Sequence, residues 1–312
     1  MKVFFNLRPP RGSYGGGAFF VKNLIDYLQK NNIETTFKLT SDVDIIFLID
    51  PRKGKHKPYG IWDILKFKEN NPKVKIIHRV NECDIKRQKS MNLDPLLIKS
   101  MNNSDIVIFI SSWLKDYFLN KYKFTLEKTY VINNGCNSNI FYPIKKSINF
   151  NEKIKLVTHH WSDNYLKGFE IYNKLDQILE KRKDFELIFI GNYNKGYSPK
   201  NIKLISPKSG KELADLIRQG DIYLTATQNE PGGMHNLEGM SCGLPILFYK
   251  NSGGVKEISK DYGEEFNDID DLFIKLDLIK NNYDKYINKI NYNILSSKRC
   301  SKEYYNIIMN QH

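Results

Sequence analysis

The sequence lacks several features that would assign it to a protein class at once. No apolar run approaches the roughly 20 residues that span a bilayer, and the start, MKVFFNLRPPRG, has no apolar core of the signal-peptide kind. The four cysteines lie far apart and form no Cys-x-x-Cys pair; they are Cys83, Cys136, Cys242 and Cys300. We therefore expect a cytoplasmic protein with reduced thiols and no transmembrane helix.

Signatures of metal and dinucleotide binding are also missing. The first glycine-rich stretch, Arg8 to Gly17, does not follow the G-x-G-x-x-G order of a dinucleotide-binding turn. His159 and His160 are adjacent, so on a strand they point to opposite faces and do not readily bind one metal ion. The sequence thus predicts neither a nicotinamide cofactor nor a metal site.

What is present predicts a globular protein of two domains. The chain has 312 residues, of which 41% are hydrophobic and 13% aromatic, enough for two cores. Its net charge of +13 is uneven: residues 1–148 hold 25 Lys/Arg against 13 Asp/Glu, whereas the remainder holds 23 against 22. This asymmetry indicates that the N-terminal half meets an anionic partner.

Alternating strand and helix patterns predict an open α/β sheet in each half. In the first half, apolar runs typical of buried strands recur at Val3–Asn6, Asp44–Asp50, Val74–His78, Asp105–Ile110 and Thr129–Ile132. A polar linker after Pro143 leads into a second series, in which runs begin at Ile154, Glu186, Ile202, Ile222 and Ile246. We predict one domain over residues 1–147, a second over 148–285 and a terminal helical segment over 286–312.

The most informative stretch runs from Asp221 to Ile258 and reads as strand, loop, helix, strand. In open α/β sheets ligands bind at the carboxyl ends of strands, so this loop is where a ligand is expected. Glu230 and Glu238 flank the Gly232-Gly233 pair, whose backbone N–H groups can approach an anion closely. A diphosphate beside a sugar hydroxyl would suit both features; acids that only complement the helix dipole are the alternative.

The same stretch resembles the signature of the family 4 retaining glycosyltransferases. Three elements carry the resemblance: the seven-residue interval between Glu230 and Glu238, then Gly243-Leu244-Pro245, then Gly253-Gly254-Val255-Lys256-Glu257. The resemblance implies that Glu238 holds the nucleotide ribose and that Glu230 contacts the donor sugar. It also implies that sugar and phosphate bind to the backbone over Gly232, Gly233, Met234, His235 and Asn236.

A second family element is matched only in part. The family has a Gly-Arg-x-x-x-x-Lys-Gly pattern, in which Arg and Lys contact the donor diphosphate; here Lys167-Gly168 matches, but Ser162 stands at the Arg position. We therefore expect Lys167, His160 and a helix N-terminus to hold the diphosphate beside Ser162.

The resemblance adds two predictions for the N-terminal half. His78, near the end of a strand, would contact the donor sugar, although a lone histidine there is more often a satisfied core residue. Gly16 and Gly17 would form a loop facing a phosphate or sugar, with a plain flexible turn as the alternative.

The resemblance implies the GT-B fold: two doubly wound Rossmann-like domains facing across a cleft, with the terminal helix returning to the first. The implied enzyme is a retaining hexosyltransferase of glycan biosynthesis. It would move a sugar from a UDP- or GDP-sugar to a glycan or lipid-linked glycan, without a metal ion or other cofactor. The basic loop Arg52–Lys57 suggests peripheral contact with an anionic membrane. The alternatives are a phosphorylase or nucleotide-sugar epimerase, and a non-catalytic binder of anionic surfaces or, less favoured, nucleic acid.

Overall fold

The structure is a computed structural model that describes residues 1–10, 16–86, 92–122, 128–145 and 152–311. The chain divides into two compact units. The first unit comprises Met1–Ile85, Lys89–Gly135 and Ser297–His312, and the second comprises Lys86–Gln88 and Cys136–Ser296. Each unit is built around its own six-stranded sheet.

In the first unit strands and helices alternate along the chain. The elements are β1 (Lys2–Phe5), α1 (Gly16–Lys30), β2 (Glu34–Thr36), β3 (Ile45–Leu48), α2 (Ile61–Asn70), β4 (Lys75–Val80), α3 (Leu93–Asn102), β5 (Ile106–Phe109), α4 (Ser112–Tyr122) and β6 (Thr129–Val131). All neighbouring strands pair in parallel, in the order β2-β1-β3-β4-β5-β6. Every residue of β3 and β5 is buried, as in strands covered by helices on both faces.

The second unit repeats this plan with a different strand order. Its elements are β7 (Ile154–His160), α5 (Phe169–Ile178), β8 (Phe185–Gly191), β9 (Lys203–Ile205), α6 (Gly210–Ile217), β10 (Ile222–Thr225), α7 (His235–Ser241), β11 (Ile246–Tyr249), α8 (Val255–Ser259), β12 (Gly263–Phe266), α9 (Ile269–Asn281), α10 (Tyr283–Ile287) and α11 (Tyr292–Leu295). The parallel order is β12-β11-β10-β7-β8-β9. The predicted α/β class with two doubly wound sheets is confirmed.

The strand order of the second unit fixes where a ligand site can form. The chain winds outward from β7 through β8 and β9, then returns to the other side of β7 with β10. The loops after β7 and β10 therefore leave adjacent strands in opposite directions, which opens a crevice at the carboxyl ends of the strands.

The first boundary between the units, between residues 135 and 136, falls earlier than the predicted position 147. The second boundary, between residues 296 and 297, falls later than the predicted position 286. Cys136 and Phe141 already pack in a core of the second unit, together with Leu295. Tyr283 packs in the other core of that unit, so the helices that follow α9 stay with it. Apolar side chains on both sides of the polar linker are buried in the second unit. Their burial contributes more to stability than the polar composition of the linker, so the linker is not the boundary.

The last helix, α12 (Ser297–Met309), belongs to the first unit. Its Cys300, Tyr304 and Ile308 are buried in the core that also holds Phe20 of α1. None of the helices in the described ranges combines the length and apolar character that a bilayer span requires.

Strand β4 is longer than its sequence predicts and places His78 differently. The strand continues through Val80, so His78 lies within it and not at its junction with the loop. Arg79 is accommodated within the strand although it is charged. Its guanidinium lies 3.8 Å from the ring centroid of Phe20 and donates to Asn134 Oδ1 at 2.7 Å. These contacts offset part of the cost of its nearly complete burial, although its Nε has no hydrogen-bond partner among the described residues.

Candidate functional site

The candidate site lies in the second unit, in the loops after β7 and β10. Backbone bonds tie these loops together: the Gln228 N–H donates to the carbonyl of Leu166 at 2.8 Å, and the Gly254 N–H donates to that of Glu230 at 2.8 Å. A Cβ at Gly253, whose φ is 69°, would lie 2.6 Å from the Glu230 carbonyl oxygen. Glycine is therefore required where the Gly253-Gly254 loop crosses the backbone of Glu230.

Gly168 is required for a similar reason on the β7 side of the crevice. It has a φ of 98°, and a Cβ there would lie 2.4 Å from the Cβ of Ala226, which follows β10. The close approach brings the preceding residue, Lys167, beside the β10 loop.

The carboxylate of Glu230 is the electrostatic centre of the site. Lys167 Nζ lies 2.5 Å from Glu230 Oε2, and Lys86 Nζ lies 3.1 Å from Oε1. Glu230 is only 5% exposed. Burial alone would raise the pKa of Glu230, but the two ammonium groups outweigh it and hold the pKa well below its usual range. Glu230 is therefore ionised at neutral pH and can accept hydrogen bonds, but it cannot act as a proton donor.

Glu238 lies on α7 and forms a second polar chain. Its Oε2 lies 2.7 Å from His159 Nε2, and His159 Nδ1 lies 3.0 Å from the Tyr223 hydroxyl. One consistent assignment lets His159 donate from Nε2 to the carboxylate and accept the Tyr223 proton at Nδ1. This arrangement fixes the Glu238 side chain at the end of β7. The sequence analysis missed this role of His159.

His160 points away from His159 and is enclosed by other groups. Its Nε2 lies 2.8 Å from the Tyr172 hydroxyl and 3.3 Å from Thr158 Oγ1. Burial, with further contributions from His235 and Lys167, holds the pKa of His160 far below its usual range. His160 is therefore a neutral hydrogen-bonding group in this structure, and its predicted place beside a diphosphate stays a prediction.

His235 begins α7 and is also neutral. Its Nε2 bonds Thr225 Oγ1 at the end of β10 at 2.9 Å. Its pKa is lowered well below the usual range by burial and then by Lys167. His160 and His235 are therefore hydrogen-bonding groups that hold the loops, not cations.

The glycine pair before α7 is closely packed. A Cβ at Gly233 would come within 2.6 Å of Asn236 Oδ1, whereas Gly232 and Met234 are half-buried. Asn236 donates to Ser259 Oγ at 3.3 Å, and its buried Oδ1 has no hydrogen-bond partner in the described part of the chain.

Ser162 and Lys86 meet at the β7 side of the site. Ser162 Oγ accepts from the Asn164 N–H at 3.2 Å, and Asn164 Nδ2 donates to the Lys86 carbonyl at 3.3 Å. Lys86 thus contacts the site through both its backbone and its side chain. No sequence pattern marks Lys86, because its partners lie far away along the chain.

The remaining predicted site residues lie in the first unit. Gly16 and Gly17 begin α1, whereas the preceding part of their loop, residues 11–15, lies outside the described residues. His78 is fully buried, and neither ring nitrogen has a hydrogen-bond partner within the described ranges. Burial lowers the pKa of His78 to about 3, with weak opposition from Asp50. His78 is therefore not the satisfied core residue that was its alternative interpretation.

The basic loop of the first unit carries less uncompensated charge than its sequence suggests. Asp50 accepts from Arg52 through both carboxylate oxygens, at 2.9 and 2.8 Å, and its Oδ2 lies 2.5 Å from Lys57 Nζ. Lys53 pairs with Asp63 at 3.3 Å, whereas Lys55 is exposed.

Across the described ranges, no three His, Cys, Asp or Glu side chains gather closely enough to hold one metal ion.

Comparison with known proteins assigns the fold. Sucrose-phosphate synthase from Thermosynechococcus elongatus superimposes with a TM-score of 0.73 at 13% identity, over 99% of this chain and 98% of that one. Anabaena HepE, solved in complex with UDP-glucose, gives 0.72 at 13% identity and 99% coverage of both chains. The protein has the GT-B fold.

Sequence comparison adds similarities to the second unit. The family described as "Glycosyl transferases group 1" matches residues 143–295, which lie within the second unit. A probable sucrose-phosphate synthase of Thermosipho melanesiensis is 26% identical over 214 residues, which cover 61% of this chain and 49% of that protein. The chain spans about half the length of the curated relatives that it matches.

Proposed function

We propose that the protein is a retaining glycosyltransferase of family 4 that transfers a sugar from a UDP- or GDP-sugar to an acceptor. One observation carries the proposal. The Lys167–Glu230 pair and the Glu238–His159 pair both lie at the crevice between the loops that follow the neighbouring strands β7 and β10. A nucleotide-sugar is also the ligand of a structural neighbour, since HepE was solved with UDP-glucose.

The resemblance to family 4, together with the separate partners of the two carboxylates, supports distinct tasks for them. Glu238, oriented by His159, accepts hydrogen bonds from the ribose hydroxyls, and Glu230 accepts them from the donor sugar. Lys167 places its ammonium group on the diphosphate, where negative charge grows as the glycosidic bond breaks. The backbone from Gly232 to Asn236 completes the donor site.

Three further residues belong to the first unit. We assign His78 to the donor sugar, because a buried imidazole without a hydrogen-bond partner destabilises the fold and is most readily explained by a functional task. Gly16 and Gly17 are assigned to the same task of contacting sugar or phosphate through the backbone.

The donor is tested by a thermal-shift panel of UDP- and GDP-sugars, since a ligand at 100 times its Kd adds about 2.7 kcal/mol of stability. We expect one sugar nucleotide to raise the melting temperature and to release free nucleoside diphosphate only when its sugar is transferred. An epimerase would convert the sugar without releasing nucleotide. Steep salt-dependent nucleic-acid binding without any nucleotide-sugar turnover would support the non-catalytic alternative.

The stereochemistry is tested by NMR of the product. We expect the transferred sugar to keep the anomeric configuration of the donor, and we expect activity to persist in EDTA. Inversion at the anomeric carbon would overturn the retaining mechanism. Loss of activity in EDTA that Mg²⁺ restores would overturn metal independence.

The acceptor proposed is a glycan or lipid-linked glycan bound by the basic N-terminal half. Of the basic loop, Lys53 and Lys55 are the most exposed cations, so they are the better candidates for contact with an anionic membrane. Lys53→Gln with Lys55→Gln should reduce binding to vesicles containing phosphatidylserine and leave donor affinity unchanged. Equal vesicle binding by the parent and the variant would show that the loop serves only solubility.

A further inference from the structure

The charge balance of the Glu230 cluster leads to a further assignment, which rests on the proposed function. Lys167 and Glu230 form a pair with no net charge, and a neutral pair offers little electrostatic attraction to a diphosphate. His160 and His235 beside them add none, because burial holds the pKa of each far below neutrality. With Lys86 included, the three charged groups sum to +1.

The placement of Lys86 suits contact with a ligand. Its side chain is 22% exposed, compared with 16% for Lys167 and 7% for Glu230, so of the three it is the most open to solvent. Its ammonium lies 3.1 Å from Glu230 Oε1, while Lys167 approaches the other oxygen. The two cations therefore flank one carboxylate, and an anion that contacts Lys167 is within the reach of Lys86 as well.

The backbone of Lys86 ties it to the loop after β7. Asn164 Nδ2 donates to the Lys86 carbonyl, and the Asn164 N–H donates to Ser162 Oγ. Ser162 is uncharged, and Lys86, whose carbonyl contacts this loop, brings an ammonium group to Glu230 from a distant part of the sequence. We infer that Lys86 is a further donor-binding residue, whose ammonium group contacts the diphosphate together with Lys167.

The test is the affinity of UDP and GDP for the purified full chain, measured by calorimetry for the parent and for Lys86→Met. We expect the better-bound nucleotide to bind about 10 to 100 times more weakly to the variant. This factor corresponds to the loss of one charge-assisted hydrogen bond. Lys174→Met is the matched control, because Lys174 forms one exposed ion pair on α5 with Glu170 and should leave the affinity unchanged.

Two further variants separate direct contact from a supporting role. Lys86→Arg keeps the charge and should keep affinity within about threefold. Ser162→Arg, combined with Lys86→Met, should restore affinity by supplying a cation from the loop that Lys86 contacts. The inference is overturned if Lys86→Met and Lys86→Arg lose affinity alike and adding Ser162→Arg to Lys86→Met does not restore it. Lys86 would then only support the structure.

The outcomes for the parent separate this inference from the proposed function. If the parent binds neither UDP nor GDP and transfers no sugar, the proposed function is wrong. If the parent binds and transfers while Lys86→Met binds as tightly, the inference about Lys86 is wrong and the proposed function stands.

Discussion

Each unit has a carboxylate that follows a sheet strand and is shared by two basic side chains, but the two cases differ in origin. Asp50 follows β3, and its partners Arg52 and Lys57 lie in the same loop. Such local pairs form whenever that loop is ordered. Their effect is to close a turn and to neutralise part of a basic segment.

Glu230 in the second unit draws its cations from distant parts of the chain. Lys167 is 63 residues away in sequence, and Lys86 comes from the segment between β4 and α3. This cluster can form only once the chain has folded around β7 and β10. The comparison shows that the same ion-pair chemistry is local where it stabilises a loop and long-range where it assembles a site.

The buried histidines give a second contrast between the units. His160 is hydrogen-bonded to Tyr172, whose hydroxyl also accepts from the Ala226 N–H at 3.1 Å. His78 is as deeply buried, yet neither nitrogen has a partner in the described part of the chain. Burying an unsatisfied polar group destabilises a fold, so His78 is the better candidate for a residue kept for function.

The largest expected effect tests the ion-pair comparison. Glu230→Gln leaves two ammonium groups facing a neutral amide in a buried setting, and should destabilise the protein by about 3 to 5 kcal/mol in urea unfolding. Asp50→Asn, its counterpart in the first unit, should cost about 1 kcal/mol, because the Asp50 side chain is 16% exposed against 7% for Glu230. Equal costs would mean that the two clusters have the same structural role.

The next effect tests the contrast between the histidines, and its sign differs between the units. His160→Leu should destabilise the protein by about 1 to 3 kcal/mol, since it removes a partner of the buried Tyr172 hydroxyl. His78→Leu removes two unsatisfied nitrogens and should stabilise the protein by about 1 kcal/mol, while lowering turnover at least tenfold. Stabilisation with unchanged turnover would remove His78 from the site.

The pH dependence of stability tests whether His78 is neutral in the folded protein. His78, with a folded pKa of about 3, stays neutral in the folded protein, whereas the unfolded chain takes up a proton near pH 6.5. The unfolded state therefore binds more protons below pH 6.5, and stability falls as the pH falls. When the pH is lowered from 7 to 5, the free energy of unfolding should fall by about 2 kcal/mol less for His78→Leu than for the parent. Parallel stability curves for the two proteins would contradict the buried neutral state.

Much of the fold could be predicted from the sequence because its signals are local. The apolar runs at Ile222 and Ile246 become β10 and β11, and the polar loop between them carries Glu230 as expected. The extent of β4 was predicted less well. A buried Arg79 looks like a loop residue until its contacts with Phe20 and Asn134 are seen.

The partners within the site could not be predicted in the same way. Glu238 was identified from its spacing, but its bond to His159 depends on which strands lie side by side. The contact of Lys86 with Glu230 depends on tertiary structure alone. The neutral state of His160 likewise follows from burial, which the charge pattern of the sequence does not reveal.

The most direct test of the central claim is the affinity of the donor for Glu238→Gln. This change keeps the shape of the side chain but removes the charge that His159 orients and that we assign to the ribose hydroxyls. Calorimetry with UDP and GDP should show binding weakened by about 1.5 to 3 kcal/mol relative to the parent, with the melting temperature without ligand little changed. Binding to Glu238→Gln as tight as to the parent would contradict the placement of the nucleotide at this site.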